Sequence, residues 1–327
     1  MKKHLFENIE KGEQFGPVPL KLDAHLVRGF SFAVEDFSAR YFHSAAEPGP
    51  FVAPALLAKK LLHIFMEKYD PQGVSAVHLK DDIEFVAPPR FGDEVVLSAT
   101  YSDTFVRKGR TCVVLDGEAR DSSGALLVRH RSIEIVPTQQ QYPDRPQADP
   151  VGLSQRRVAT DWPQDPVVAE GAEAARPGMV LPPRSRTIQQ DQMSMFVGAN
   201  EGWRNLHTDI DIARAAGFER TIMSGMIQAC WFAHLVTDFL GDAYLRGGRL
   251  GITFLRNVES GDTIQLRAVV RAIQTDGTFE IEFWSQNDKG DVTAVGWAVG
   301  KAGADSRTSG SPADASHVQS IATGDQS

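Results

Sequence analysis

Two stretches of this 327-residue chain, "DIEFVAPPRFGDEVVLSATYSD" (82–103) and "GITFLRNVESGDTIQLRAVVRA" (251–272), follow one pattern. Each has a phenylalanine, a break, a Gly-Asp pair and then alternating apolar residues, which reads as strand, turn and second strand. A shared Gly-Asp turn would also fit two unrelated α+β units. Order and spacing favour duplication, because residues 54–93 and 225–262 both run helix, turn, strand, Gly-Asp, strand over nearly equal lengths.

Further strand-like runs follow in each half, "RTCVVLDGEARD" and "ALLVRHRSIEIV" in the first and "TFEIEFWSQND" and "VTAVGWAVG" in the second, separated by turn signals such as "SSG" and "DKG". Ahead of them lies one long apolar segment per half, "APALLAKKLLHIFMEKY" (53–69) and "SGMIQACWFAHLVTDFL" (224–240). Both are apolar on most faces, as a buried central helix must be. The expected fold class is α+β, a double hotdog: two antiparallel sheets, each wrapping a long central helix, with the helices side by side and the sheets joined.

A chain of this length suits two units of about 150 residues. The expected division is a degenerate first hotdog at 1–137, a linker at 138–183 rich in Pro, Gln, Asp and Arg, a second hotdog at 184–301, and a polar tail at 302–327 with almost nothing to bury. Hydrophobic residues at 42% and charged residues at 23% describe an ordinary globular protein, and a formal charge of -8 gives no attraction to nucleic acid or anionic membrane. No stretch approaches the roughly 20 apolar residues of a bilayer span, so a cytoplasmic location is expected. The two cysteines, Cys112 and Cys230, sit in apolar runs and read as buried thiols.

The halves differ between the residues that precede the helix. In the first, Phe37 leads through "SARYFHSAAEPGPFV" to the helix, whereas in the second Phe196 leads to Gly225 through a much longer segment containing "GANEGWRNLHTD" (198–209). The first copy shows that the unit closes without this insertion, so the insertion is read as functional and the single site is placed in the second half.

The segment "DQMSMFVGANEGWRNLHTDIDIARAAGFERTIMSGMI" resembles that of the MaoC-type (R)-specific enoyl-CoA hydratases and dehydratases, in their two-hotdog form. Phe196, His207, Asp209, Ala213, Gly217, Phe218, Ile222, Gly225 and Met226 match the family pattern in order and spacing. The resemblance implies a histidine and an aspartate that together hold one water and move its proton. Here the aspartate falls on Gly202, the asparagine and proline on Arg204 and Asn205, and the histidine before Gly-Met on Ser224. A glycine cannot carry a proton. The expected replacement is Glu201, one residue earlier and one methylene longer, with His207 as general base or acid and Asn205 orienting water or thioester.

Each residue also has a plainer reading. His207 could merely bond a loop backbone, Glu201 could be a surface glutamate, and Trp203 could wall an acyl pocket or cover the core. Asp209, just ahead of "IDIARAAG", reads as a helix N-cap. Gly225 would let a thioester carbonyl approach the free N–H groups of the helix start, or would only relieve crowding there. Ser224 would cap that helix or offer a hydroxyl to substrate.

Coenzyme A needs basic neighbours, and the candidates are Arg204, Arg256, Arg214, Arg220 and the "RKGR" run at 107–110. No glycine-rich phosphate loop, nucleotide fingerprint or metal-ligand spacing is present, so no metal is expected, and no cofactor other than the coenzyme A of the substrate. The function expected is a hydratase or dehydratase acting on a 2-enoyl or 3-hydroxyacyl thioester, in a chain that forms a homodimer. The rivals are a thioester hydrolase on the same fold and a catalytically silent acyl-CoA-binding partner protein.

Overall fold

A computed structural model of the chain describes residues 1–42, 50–72, 74–148, 158–198 and 203–303. The first half runs β1 (Lys2–Lys3), β2 (Gln14–Lys21), α1 (Ala24–Val34), α2 (Ala39–Phe42), α3 (Ala55–Leu62), β3 (Tyr69–Asp70), β4 (Val77–Phe85), β5 (Glu94–Arg107), β6 (Arg110–Asp121) and β7 (Leu126–Ile135). The second runs β8 (Arg184–Thr187), α4 (Gln190–Val197), α5 (Ile210–Ala215), α6 (Gly225–Leu240), β9 (Gly248–Phe254), β10 (Thr263–Ile273), β11 (Thr278–Asn287) and β12 (Val292–Lys301). Among these residues no helix is long and apolar enough to cross a membrane.

The duplication is visible in the strand order β2-β5-β6-β7-β4-β9-β12-β11-β10-β8, which reads the same from either edge once the halves are superposed. Apart from a small parallel pair, β1 with β3, the described strands form one sheet of ten in place of two, because β4 and β9 pair antiparallel at the centre with Asp82 opposite Gly251. Those two residues begin the repeated stretches, so an approximate twofold axis passes between them. Each "GD" is also the same small structure twice. Gly92 and Gly261 hold φ of 86° and 87°, the left-handed region open to glycine, and the next carboxylate accepts a backbone N–H three residues back, Asp93 from Arg90 at 2.8 Å and Asp262 from Glu259 at 2.9 Å.

The long helix of the second half is as expected. It is 16 residues of almost wholly buried side chain, ended by Gly241 at φ 76°, and Phe232 stacks on Phe283 of β11 at 4.0 Å. The first-half helix is shorter than its apolar run. The α-helix stops at Leu62, and after His63 the chain tightens into a 3₁₀ turn at Ile64–Glu67. Helices α3 and α6 pack on each other, α3 over β5–β7 and α6 over β4, β9 and β12. The linker is more than a connector, since Val180 bridges Val269 and Trp162 meets Trp284 edge-on at 5.9 Å, covering the sheet face turned away from the helices. Cys112 and Cys230 are buried free thiols.

Candidate active site

The inserted segment of the second half lands at the start of α6. Asp209 caps α5, its Oδ1 accepting the backbone N–H groups of Asp211 at 3.0 Å and Ile212 at 3.1 Å. Those bonds and the Arg204 guanidinium hold its carboxyl below the usual range, so Asp209 is structural. Asn205, 5% exposed, uses its side-chain oxygen to accept the His207 N–H at 2.9 Å, while Thr208 Oγ1 accepts the Asn205 N–H at 3.1 Å. The turn thus orients the histidine through its backbone.

His207 Nδ1 lies 2.7 Å from the carbonyl of Ile222. A carbonyl only accepts, so Nδ1 carries the proton and Nε2 of the neutral ring keeps its lone pair. Burial lowers the ring's pKa to about 4, the Ile222 bond works against that, and the charge of His78 adds to it. His207 is therefore a neutral proton acceptor near pH 7.

The cleft that His207 lines also takes in Asn205, Ser224, Gly225 and Arg256 from the second half and His63, His78 and Glu134 from the first. It holds about 80 Å³, room for water and the reacting end of a ligand. A larger groove of about 520 Å³ shares His63, Met66 and Val197 with it, and Trp203 walls that groove beside Phe196. The counterpart of the cleft at the start of α3, beside Phe85, is closed to about 10 Å³.

Gly225 opens α6 as expected, and its surroundings show why no side chain stands there. A Cβ at that position would come within 3.1 Å of the Phe254 ring, whose centroid is 4.8 Å from that of His78. Close packing and an open approach to the first-turn N–H groups thus coincide. Ser224 occupies the N-cap position but its side chain makes no capping bond, contrary to the capping role, so its hydroxyl is not committed to the helix.

The basic candidates separate cleanly. Arg256 stays at the cleft with a partner in Asp291 at 3.3 Å, and Arg204 is tied to Asp209. Arg220 is taken up by Glu259, Asp262 and the Ser260 carbonyl, which removes it from ligand binding. Arg214 is exposed on α5, and residues 107–110 form the β5–β6 hairpin turn, away from the cleft lining. Glu201 and Gly202 lie outside the described residues.

Several cleft residues carry no signal in the motif. Gln228, one turn into α6, accepts hydrogen bonds from Ser285 at 2.8 Å and Thr293 at 3.1 Å. His78 and Glu134 come from the degenerate half. Their trace in the sequence is polarity inside strands, "VHLKDDIEF" and "RHRSIEI", where an apolar face is needed.

Residues 173–287 match the family model described as MaoC like domain. No curated protein matches the chain. Among solved structures, a MaoC-like dehydratase matches with TM-score 0.70 at 15% identity, covering 90% of this chain and 98% of that one. A conserved hypothetical protein of Mycobacterium tuberculosis, described as having a double hotdog fold, matches with TM-score 0.65 at 14% identity, over 91% and 97%. The full-length peroxisomal multifunctional enzyme type 2 of Drosophila melanogaster matches with TM-score 0.64 at 17% identity, over 86% of this chain and 47% of the enzyme. These likenesses establish the double hotdog fold.

Proposed function

We propose that this chain, a double hotdog whose residues 173–287 form a MaoC-like domain, is a hydro-lyase that adds water to, or removes it from, a 2-enoyl/3-hydroxyacyl thioester, the acyl group being carried on coenzyme A. The observation that carries the reading is the neutral His207, with its Nδ1 proton fixed on Ile222, in one cleft with the N-terminus of α6. Water bound at Nε2 gives up a proton as its oxygen bonds C3 of the enoyl group. Charge then develops on the thioester oxygen, which Gly225 N–H and the helix dipole stabilise. Ser224 offers a hydroxyl, Trp203 walls the acyl chain, and Arg256 meets a coenzyme A phosphate, with Arg204 as a second cation at the loop.

The chain acts as a homodimer in the cytoplasm, without a metal. Incubation with a panel of enoyl-CoA thioesters, followed by loss of enoyl absorbance and chromatography of the 3-hydroxyacyl product, tests the activity, and His207→Ala should reduce it about 10²–10⁴-fold. Release of free thiol would identify a thioester hydrolase instead. Ligand binding with no turnover would identify a silent binder, the alternative that Gly202 favours.

A further inference from the structure

We infer, resting on the hydratase reading above, that the second proton-transfer group of the cleft is Glu134 of the first half, in place of Glu201, with His78 and Asp81 positioning it. Glu134 lines the cleft with His207 and Gly225, yet it is only 7% exposed and its Oε2 has no hydrogen-bond partner. It does not stand alone. His78 Nδ1, Asp81 Oδ2 and Ser132 Oγ are buried and unpartnered as well. Buried polar atoms are nearly always satisfied, so four orphans on two neighbouring strands mark a place built for something that completes their bonding.

The backbone shows how they were gathered. Strands β4 and β7 pair with His78 opposite Glu134 and Asp81 opposite Ser132, and between them one extra residue, Leu79, is inserted into β4. Strand side chains alternate, so without the insertion residues 78 and 81 would point to opposite faces. The bulge turns His78 to the side of Asp81, while Leu79 packs with Ile133 on the other face. His78 Nε2 then donates to Asp81 Oδ1 at 2.8 Å, and His130 Nε2 reaches the same oxygen at 2.6 Å. A carboxylate that orients an imidazole beside a reacting centre is a recurring arrangement for proton transfer.

The charges agree with the geometry. Burial raises the pKa of the Glu134 carboxyl above the ordinary value against the opposing pull of His78, while Asp81 raises it further, the direction a proton donor needs. His78 is desolvated too, but the charge of Asp81 and its hydrogen bond outweigh burial and raise the imidazole. Beside the ionised Asp81, the groups facing Glu134 are His78, His130 and, from β5, Tyr101. The cleft thus opposes a proton acceptor, His207, to a proton donor, Glu134.

In hydration the water oxygen forms the C3–O bond while its proton passes to His207 Nε2. The π pair of C2=C3 moves onto C2 and takes the proton of the Glu134 carboxyl, leaving a carboxylate. One proton has crossed from Glu134 to His207, and return through cleft water restores both groups. Dehydration is the reverse, with the Glu134 carboxylate removing the C2 proton and the His207 imidazolium protonating the departing hydroxide.

The test measures enoyl-CoA hydration by the full chain, wild type beside Glu134→Gln, Glu201→Gln and His78→Asn, each with its melting temperature. Expected for Glu134→Gln is a loss of about 10²–10⁴-fold in kcat with KM and melting temperature little changed, and no loss for Glu201→Gln. His78→Asn should move the pH limb of kcat that Glu134 provides, a readout that a packing role would not shift. If Glu134→Gln proved unfolded, an unchanged pH profile in His78→Asn would overturn the assignment by itself. Full activity in Glu134→Gln, or a loss confined to Glu201→Gln, overturns it while the hydratase reading stands. No turnover by wild type on any enoyl thioester removes both.

Discussion

His207 donates its Nδ1 proton to the backbone carbonyl of Ile222 across 2.7 Å, and that bond decides which nitrogen faces the cleft. The tie couples the loop before α5 to the chain entering α6, so loop position and base orientation are one variable.

The first prediction concerns pH. Burial holds both His207 and His4 at about 4, while in the unfolded chain each takes up its proton near 6.5. Between those values these two groups bind more protons in the unfolded state, so their contribution to stability falls as pH falls from about 6.5 towards 4. Urea midpoints at a series of pH values should decline through that window, and His207→Gln should flatten part of the decline. The acid limb that His207 contributes to kcat/KM should lie near 4; a limb near 6.5 assigned to His207 by its loss in His207→Gln would contradict the neutral, half-buried base.

Gly225 supplies the second. Its missing Cβ would stand 3.1 Å from the Phe254 ring, which packs on His78, so Gly225→Ala displaces the ring by a few tenths of an ångström and Gly225→Val by more. Both variants should fold and lose activity, valine nearly completely. Phe254→Leu should restore part of the alanine variant's rate, a non-additivity that kinetics of the double mutant would measure. Additive losses would mean that the two residues act separately.

Asn205 supplies the third, since its side-chain oxygen holds the backbone N–H of His207. Removing it in Asn205→Ala should cost on the order of 10²-fold in kcat, the usual consequence of a base displaced by about 1 Å. Asn205→Asp retains the acceptor and should recover most of the rate. Equal damage in the two variants would instead point to a direct contact between the Asn205 amide and the ligand.

Asp209 supplies the fourth. Its carboxylate caps α5, so Asp209→Asn, which still accepts, should leave both folding and turnover close to wild type, and Asp209→Ala should lower the melting temperature with kcat intact. Loss of kcat in the folded asparagine variant would give this residue a chemical role.

The repeat and the second long helix were legible because local physics decides them. Glycine at φ near 87° followed by a carboxylate is nearly the only way to make the turns at Gly92 and Gly261, and a 16-residue segment apolar all round has nowhere to go but the interior. The first helix was overread, since "LLHIF" continues the apolar run while His63 takes φ -90° and ψ 2° and ends the α-helix. The motif located His207, Asn205, Ser224 and Gly225 at one cleft, but not that Ser224 would leave its helix uncapped. His78 and Glu134 were hidden for a definite reason. The bulge at Leu79 breaks the two-residue period from which a strand's faces are assigned, and the partner strand lies some fifty residues away.

The pairing of Asp82 with Gly251 places the twofold axis inside one polypeptide. In an assembly of two identical chains each substitution appears at both symmetry-related places, so a change that closes one cleft closes the other. Covalent fusion lifts that constraint. One half could collapse its own opening beside Phe85 to about 10 Å³ and turn its sheet into equipment for the neighbour, while the other kept the loop and the helix start. The asymmetry of the two clefts is thus heritable as single changes, and the half without a motif is the one free to supply what the motif lacks.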